Sequence, residues 1–418
     1  MLQRATTTLS DKYDTGEGWV YMTGMQALVR LPLQQRLRDA AQGWNTGGYI
    51  SGYRGSPMGR YDMELWAAQK PLQAANVVFR SGLNEDLAAT AIWGAQYVGT
   101  FPGAKVEGVF GIWYGKGPGV DRSGDVLRHA NLAGTSPKGG VLCLAGDDHG
   151  AKSSTVANFS DGIFMAVGMP LLYPSNTQEL LDYGLHGLAM SRYSGCWVGM
   201  KVVTDVVEGG SSVYVAPDSP HITLPEPPSA PADPFGQGYH IRGFDMALAQ
   251  EDRLYHHKHQ AVMAYARANG LNRITLNPEG ARLGIVAAGK AWQDLQQALA
   301  NLGLTAAILW LRYQSNRKLF DTSVKPAPVA TKTPFFRHFN GLFDLLDRIP
   351  LLRRSGTANE MDLLKAMLIC SAPYLIFQLI SHQPGLEISL VAIGIFQTVL
   401  NALLLAHPAT TRLISRKK

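Results

Sequence analysis

Residues 17–210 alternate between short apolar runs and longer helical patterns, and this alternation limits the folds that the chain can adopt. The runs are apolar at successive positions, which indicates strands that are buried on both faces. Such strands, separated by helices, are typical of a parallel sheet covered by helices on both sides. The predicted strands cover residues 47–53, 76–80, 106–114, 139–146, 169–174 and 196–203, and the predicted helices cover residues 23–42, 84–99 and 176–195. The predicted fold class is therefore α/β.

Glycine-rich segments follow several of the predicted strands. They read "SGYRGSPMG", "RSGLNED", "YGKGPGVDRSGD" and "AGDDHGAKSS". In a parallel sheet the carboxyl ends of the strands share one edge, and ligands bind beyond that edge. We therefore expect one functional site to be built from these loops together.

The stretch "FRSGLNEDLAATAIWG" places two acids, Glu85 and Asp86, at the start of a predicted helix. Acids in a first turn complement the helix dipole, and Asn84 suits the N-cap position. The residues that follow are small and would leave room for a flat ligand or another backbone. The sequence leaves both a capping role and a ligand-binding role open.

Two other loops carry candidate chemistry. In "GYRGSP" (52–57), Arg54 and the Ser56 hydroxyl could hold a carboxylate, and a plain turn is the alternative. The segment "GKGPGVDRSGD" (115–125) matches neither the dinucleotide fingerprint nor the P-loop. An unrelated nucleotide-binding α/β protein is therefore a weak interpretation.

Two segments contain residue types that bind metals. "GDDHGAKSS" (146–154) has two adjacent aspartates and His149, but adjacent acids at a strand end point in different directions, which favours a structural or substrate-facing loop. In "HHKH", His256 and His259 lie on one helical face. No third ligand is evident, so we interpret this segment as a solvated basic face. The sequence predicts no metal ligands.

The basic character of the chain is confined to its last quarter. Residues 310–418 contain 14 basic and 6 acidic residues, whereas residues 1–309 contain 24 basic and 26 acidic residues. The main body therefore gives no indication of nucleic-acid binding. The cysteines are Cys143, Cys196 and Cys370, with no Cys-x-x-Cys, so the chain by itself cannot hold an iron–sulfur cluster or a structural zinc ion. Their scarcity indicates a reducing compartment, and the polar N-terminus does not resemble a signal peptide.

Two long apolar runs lie near the end of the chain, at 363–380 and 386–406. The second reaches the ~20 residues that cross a bilayer core, and basic residues flank the pair. These features predict a hairpin that attaches a cytoplasmic α/β domain to the inner membrane, with both ends cytoplasmic; a buried helical pair is the alternative. The predicted divisions are an α/β domain at 8–214, a proline-rich linker at 215–242, a helix with an incomplete second α/β unit at 243–303, a basic segment at 304–362 and the hairpin at 363–407. Within 243–303, a long helix is predicted from about Asp245 to Asn269, followed by a strand at 282–289 and a helix at 290–303.

The motifs together resemble one family. "TGMQALVRLPL", "SGYRGSPMG", "SGLNEDLAATAIWG", "YGKGPGVDRSGDVLRHANLAGTSPKGGVLCLAGDDHGAKSST" and "GIVAAGKAW" are similar to the N-terminal part of indolepyruvate ferredoxin oxidoreductases. These enzymes are 2-oxoacid:ferredoxin oxidoreductases that depend on thiamine diphosphate. The resemblance runs from about residue 8 to residue 303, and it implies a thiamine pyrimidine-binding domain.

The resemblance implies roles for particular residues. Glu85 occupies the position of the glutamate that hydrogen-bonds the pyrimidine N1′ of the cofactor, with Asn84 beside it. Ser56 matches the hydroxyl residue that faces the oxoacid carboxylate, and Arg54 adjoins it. The loop with His149, Ser153 and Ser154 resembles the loop that lines the substrate end.

The chain also departs from the family pattern. A diphosphate-binding domain with its Mg²⁺ motif and the iron–sulfur ligands are not recognisable in it, and the sequence after about residue 303 resembles nothing in the family. We therefore expect a truncated oxidoreductase whose partner subunit supplies the rest of the site for decarboxylating an aryl-pyruvate. The alternative is a catalytically silent, membrane-attached remnant or interaction protein.

Overall fold

The computed structural model describes residues 8–151, 156–228, 238–276, 284–301 and 308–310, all within the unit Met1–Asp321. The strands are β1 (Gly18–Thr23), β2 (Thr46–Gly52), β3 (Val77–Phe79), β4 (Gly108–Lys116), β5 (Val141–Asp147), β6 (Leu171–Leu172), β7 (Val198–Val203), β8 (Gly210–Val215), β9 (Arg273–Leu276) and β10 (Ile308–Trp310). The helices are α1 (Asp11–Asp14), α2 (Gly24–Ala41), α3 (Tyr61–Ala67), α4 (Gln69–Ala74), α5 (Glu85–Ala95), α6 (Gly117–Arg122), α7 (Gly124–Ala133), α8 (Asp161–Ala166), α9 (Thr177–Ser194), α10 (Thr204–Val207), α11 (Ala247–Asp252), α12 (His259–Ala268) and α13 (Lys290–Asn301), with a π-helical turn at Arg253–Lys258.

A parallel sheet forms the centre of the fold. Within the described residues it has six strands in the order β3-β2-β4-β5-β7-β6, and all of its strand pairs are parallel. Every residue of β5 and β7 is buried. Along β5, Leu142 and Leu144 enter one hydrophobic cluster, and Val141, Cys143 and Ala145 enter the other. This two-residue period shows that both faces of the sheet are covered, which confirms the predicted α/β fold.

Side-chain caps determine where the main helices begin. Thr23 and Gln26 form a reciprocal capping box at the start of α2. The side chain of Asn84 caps α5, and that of Asn176 caps α9. At its carboxyl end α9 stops at Gly195, which has φ 71°, a conformation that favours glycine.

Several local predictions differ from the structure. The segment predicted as a loop at 115–125 forms the end of β4, all of α6 and the start of α7, because Pro118 near the helix start fixes a helical φ. An antiparallel pair of β1 and β8, which the sequence analysis did not predict, forms a second sheet. The strand predicted at 282–289 is wrong over its described part, 284–289, which holds an isolated bridge.

The long helix predicted from about Asp245 to Asn269 is present as α11, the π-helical turn and α12, and it packs on α9. The interpretation as a solvated face holds for His256, which pairs with Asp252 at the surface (2.7 Å). It is wrong for Lys258, which is fully buried and donates to two backbone carbonyls of α7, and for His259, whose Nε2 lies 2.8 Å from the Gly168 carbonyl oxygen. Burial also lowers the pKa of Lys258 to about 8.

The predicted membrane hairpin lies in the part of the sequence that the structure does not describe. Both apolar runs, 363–380 and 386–406, are outside the described residues. Among the helices that are described, none has the combination of length and hydropathy required to cross a bilayer. The hairpin therefore stays a prediction from sequence.

Candidate functional site

The glycine-rich segments meet at the carboxyl edge of the sheet, as predicted. Gly52 at the end of β2 lies beside Tyr114 of β4, and Lys116 at the end of β4 lies beside Gly146 of β5. The Gly82 N–H donates to the carbonyl of Gly52 (2.8 Å), which brings the loop before α5 to the same edge. Three neighbouring strands therefore contribute to one group of loops.

Glu85 is the first residue of α5 and is buried, with 6% of its surface exposed. The Asn84 side-chain oxygen accepts a hydrogen bond from the Leu87 N–H (2.8 Å), so Asn84 is occupied as the N-cap. The indole Nε1 of Trp113, on β4, donates to the backbone carbonyl of Glu85 (3.0 Å). These bonds fix the backbone of Glu85 at the sheet edge and do not involve its carboxylate.

The two acids at the start of α5 have different surroundings. The Asp86 carboxylate has local partners: it accepts a hydrogen bond from the Ser123 hydroxyl (3.1 Å) and forms an ion pair with Arg122 (3.5 Å). The Glu85 carboxylate lies 3.8 Å from Arg122 Nη1. Across the described part of the chain it accepts no hydrogen bond. Burying a carboxylate without hydrogen bonds is costly, so this acid is more than a dipole-compensating cap.

Glycines outside α5, and not the small residues within it, provide the space that the Glu85 carboxylate occupies. A Cβ on Gly119 would lie 2.6 Å from both Cγ and Oε1 of Glu85, and one on Gly115 would lie 3.3 Å from its Cγ. Of the two predicted alternatives for the small helix residues, Ala88 and Ala89 fit close approach of another backbone, since a Cβ on Gly82 would lie 2.8 Å from that of Ala88. Both alanines are buried in the hydrophobic cluster that contains Trp113, so they serve helix-to-sheet packing.

The turn with Arg54 and Ser56 lies at the same edge. A Cβ on Gly55 would lie 2.8 Å from the Lys116 side chain, which places the turn over the end of β4. Ser56 is half-buried and Arg54 is exposed. Neither side chain has a hydrogen-bond partner among the residues that the structure describes. Both are therefore available to a ligand from the loop side, while their role in binding an oxoacid stays a prediction.

Around the end of β5, His149 is exposed, whereas Asp147 and Asp148 are buried. The Nδ1 of His149 lies 3.2 Å from the Asn158 carbonyl oxygen. Asp147 accepts hydrogen bonds from the backbone and hydroxyl of Ser160 and lies 3.5 Å from Lys201 Nζ. Burial raises the pKa of Asp147, and the bonds from Ser160 oppose that rise. Asp147 thus has a structural role in positioning the start of α8.

Two predicted residues, Ser153 and Ser154, lie outside the described residues. Where side chains are described, no group of three or more His, Cys, Asp or Glu residues could hold a metal ion. Sequence reasoning missed Arg122, Gly119 and Trp113, all of which contact Glu85. Arg122 and Gly119 stand in a segment that was examined only for nucleotide fingerprints, and the glycine spacing there was the available signal.

Comparison with known proteins supports the resemblance described above. No family model matches the chain. The chain is 24% identical over 318 residues to indolepyruvate oxidoreductase subunit IorA of Methanothermobacter marburgensis, and 24% identical over 317 residues to the same subunit of Methanothermobacter thermautotrophicus. Each match covers 73% of this chain and 44% of the relative, so the chain spans less than half the length of these curated relatives.

A structural comparison also matches the chain to the 2-oxoglutarate:ferredoxin oxidoreductase from Magnetococcus marinus with 2-oxoglutarate, coenzyme A and succinyl-CoA bound. It has a TM-score of 0.48 and 14% identity, and the match covers 77% of this chain and 56% of that one. The predicted resemblance to the indolepyruvate ferredoxin oxidoreductases is confirmed by the sequence similarities to the two Methanothermobacter subunits.

Proposed function

We propose that the chain binds the aminopyrimidine of thiamine diphosphate through Glu85, and contributes this half of the site to oxidative decarboxylation of an aryl-pyruvate. The observation that carries the proposal is the buried Glu85 carboxylate, which accepts no hydrogen bond within the described residues. Such a carboxylate fits a ring that offers hydrogen-bond donors. Thiamine diphosphate, when bound, supplies the carbon nucleophile and the electron sink for 2-oxoacid decarboxylation.

The residues of this chain have separate tasks in the proposed site. The Glu85 carboxylate would accept a hydrogen bond from the pyrimidine N1′ and hold the proton at that position. Gly119 and Trp113 keep the carboxylate in place, the glycine by its close approach and the indole through its bond to the Glu85 carbonyl. Arg54 and Ser56 would bind the substrate carboxylate with charge-assisted hydrogen bonds. His149, Ser153 and Ser154 would line the substrate end.

A complete enzyme of this kind also needs a diphosphate site and a route for electrons, and we propose a second chain as their source. The described residues contain no cluster of three or more His, Cys, Asp or Glu residues that could hold a metal ion, and the matched segment covers 44% of the relatives. We therefore propose that a partner supplies the diphosphate site with its Mg²⁺ and the iron–sulfur clusters. The aryl-pyruvate substrate is proposed from the indolepyruvate in the names of the two relatives.

The proposal is tested with the full chain, purified anaerobically in mild detergent. Thiamine diphosphate and Mg²⁺ are added, and two quantities are measured: thiamine diphosphate affinity from quenching of tryptophan fluorescence, and viologen reduction that depends on indolepyruvate. Saturable binding is the expected result, and turnover would show that a bound partner completes the site. A folded chain that neither binds thiamine diphosphate nor reduces viologen would contradict the proposal and favour a catalytically silent protein.

The same preparation tests the predicted hairpin. Recovery of all of the chain in the soluble fraction without detergent would contradict membrane attachment.

Gly119→Ala is expected to weaken thiamine diphosphate binding at least tenfold and to leave the urea unfolding midpoint nearly unchanged. The new methyl group would lie 2.6 Å from both Cγ and Oε1 of Glu85, so the whole Glu85 side chain must rotate away and its hydrogen-bond acceptor is displaced. Gly119 does not have a positive φ, so its backbone accepts an alanine and the fold is preserved. Gly94→Ala in α5 is the matched control, since nothing lies within 4 Å of its new Cβ. Equal affinities for the two variants would contradict the assigned position of the carboxylate.

A further inference from the structure

A cavity of about 430 Å³ lies at the opposite edge of the sheet from Glu85. It opens between the carboxyl-terminal turns of α2 and α9 and residues 217–224. Arg192, one of its lining residues, donates to the carbonyl of Gly139 just before β5, which places the cavity at the amino ends of the strands. Its volume falls within the roughly 300–1,000 Å³ typical of small-molecule sites.

Two arginines line the cavity, and they differ in how their charges are satisfied. Arg192 forms a two-pronged ion pair with Asp39 through Nη1 and Nη2 (2.6 and 2.9 Å). Arg38 donates from Nη2 to the Pro220 carbonyl (2.6 Å). Its Nη1 donates to no described residue and is not among the buried atoms, and no described carboxylate lies within 4.0 Å of the guanidinium. Arg38 therefore retains donor capacity for an anion.

The pKa values of Arg38 and of its neighbour His186 reflect burial and the charges around the cavity. Burial lowers the pKa of Arg38, and Tyr265, Asp218 and Asp182 oppose that shift from beyond ion-pair distance. Burial, reinforced by Arg38, lowers the pKa of His186 to about 4. Asp218 lines the exposed rim of the cavity. The Arg38 guanidinium, which no described carboxylate pairs with, offers one positive charge to a ligand, and Asp218 places a negative charge at the rim. These charges favour a ligand with one negative charge over a phosphate group with two.

Flat aromatic side chains and small apolar residues form part of the walls of the cavity, beside the polar groups. Trp44 and Tyr193 line it together with prolines and Ala189. The Arg192 guanidinium lies 5.5 Å from the Trp44 ring centroid, and the Tyr193 ring packs against Tyr265 at 5.9 Å, so both aromatic walls are held in place. Fixed aromatic surfaces favour a ligand with a planar ring.

We propose that this cavity binds a planar aromatic monocarboxylate. The carboxylate accepts hydrogen bonds from the Arg38 guanidinium, and the ring lies against Trp44 and Tyr193. The site is separate from the Glu85 edge of the sheet, and it does not depend on the thiamine proposal.

The test is calorimetric titration of the full chain with 2-naphthoate. The neutral 2-naphthamide, inorganic phosphate and adenosine monophosphate are titrated in parallel. We expect saturable binding of 2-naphthoate, with the amide at least tenfold weaker because it lacks the charge that pairs with Arg38. Absence of 2-naphthoate binding, or tighter binding of phosphate or the nucleotide, would overturn the proposed ligand class.

Two variants locate the site. Arg38→Gln removes the charge and is expected to weaken 2-naphthoate binding at least tenfold, with Arg128→Gln, which alters an exposed arginine on α7, as the control. Ala41→Trp adds bulk at an exposed lining position without removing a side-chain bond, and it should block binding even if Arg38→Gln fails to fold. Circular dichroism establishes folding for each variant. Unchanged affinity in folded Ala41→Trp would show that 2-naphthoate binds elsewhere and would refute the assignment.

Discussion

Glu85→Gln is expected to lower indolepyruvate-dependent turnover by a factor of about 10² to 10⁴, the usual range for loss of a group that handles a proton. The carboxamide has nearly the same size as the carboxylate, and it keeps the packing against Gly119. It carries no charge, however, and cannot hold a proton at the pyrimidine N1′. The affinity for thiamine diphosphate, measured by fluorescence quenching, should also fall, and this second measurement does not need a complete enzyme.

Asp86→Asn provides the control for this experiment. Asp86 is the neighbouring acid in the same helical turn, but it is bonded to Ser123 and paired with Arg122. Its neutralisation should change turnover and affinity little. If both variants lose activity equally, the acids act together on the helix start, and Glu85 has no special role. Wild-type turnover in Glu85→Gln would refute the proposed function.

Asp39→Ala is expected to reduce the free energy of unfolding by about 3–5 kcal/mol, the cost of breaking a buried ion pair by removing one partner. Asp39 is fully buried, and its two oxygens accept hydrogen bonds from Arg192, Gln35 and Thr46. The alanine leaves a guanidinium, an amide and a hydroxyl without their acceptor. The measurement is urea unfolding followed by circular dichroism at constant pH and salt.

The control substitution is at an aspartate that is exposed to solvent. Asp125, on α7, has a side chain that is 90% exposed and pairs loosely with His129. Exposed pairs of this type contribute little, so Asp125→Ala should be close to wild type. Asp39→Asn, which keeps the hydrogen bonds and loses the charge, should lie between the two. A loss below about 1 kcal/mol in Asp39→Ala would show that Arg192 finds another acceptor.

The main elements of the fold could be predicted from the sequence because their signals are local. Continuous apolar runs identified the strands of the central sheet, and Asn84 at a helix start identified the cap of α5. Placing the glycine-rich loops at one edge followed from the geometry of a parallel sheet. The antiparallel pair of β1 and β8 was missed because its two strands are almost 200 residues apart, and no local pattern predicts such a pairing.

The sequence was sufficient to propose Glu85 as the central residue of the candidate site, but not to predict its surroundings. Glu85 could be identified from its position at a helix start and from the family resemblance. The sequence could not show that Gly119 approaches its carboxylate or that Arg122 shares its charge between two acids. The assignment of a solvated face failed at Lys258 for the same reason, because its acceptors lie on a different helix.

By itself, then, the sequence determined the alternation of strands and helices, the helix caps and the edge of the sheet at which loops gather. These depend on backbone preferences and hydrophobic periodicity over a few residues. The tertiary structure decided which charges are paired. Arg192 meets Asp39 across 153 residues, whereas Arg38, one residue before that aspartate, meets no carboxylate in the described structure. Charge pairing depends on packing between distant elements, because an ionic hydrogen bond requires contact within about 3 Å, which neighbouring positions in the sequence do not specify.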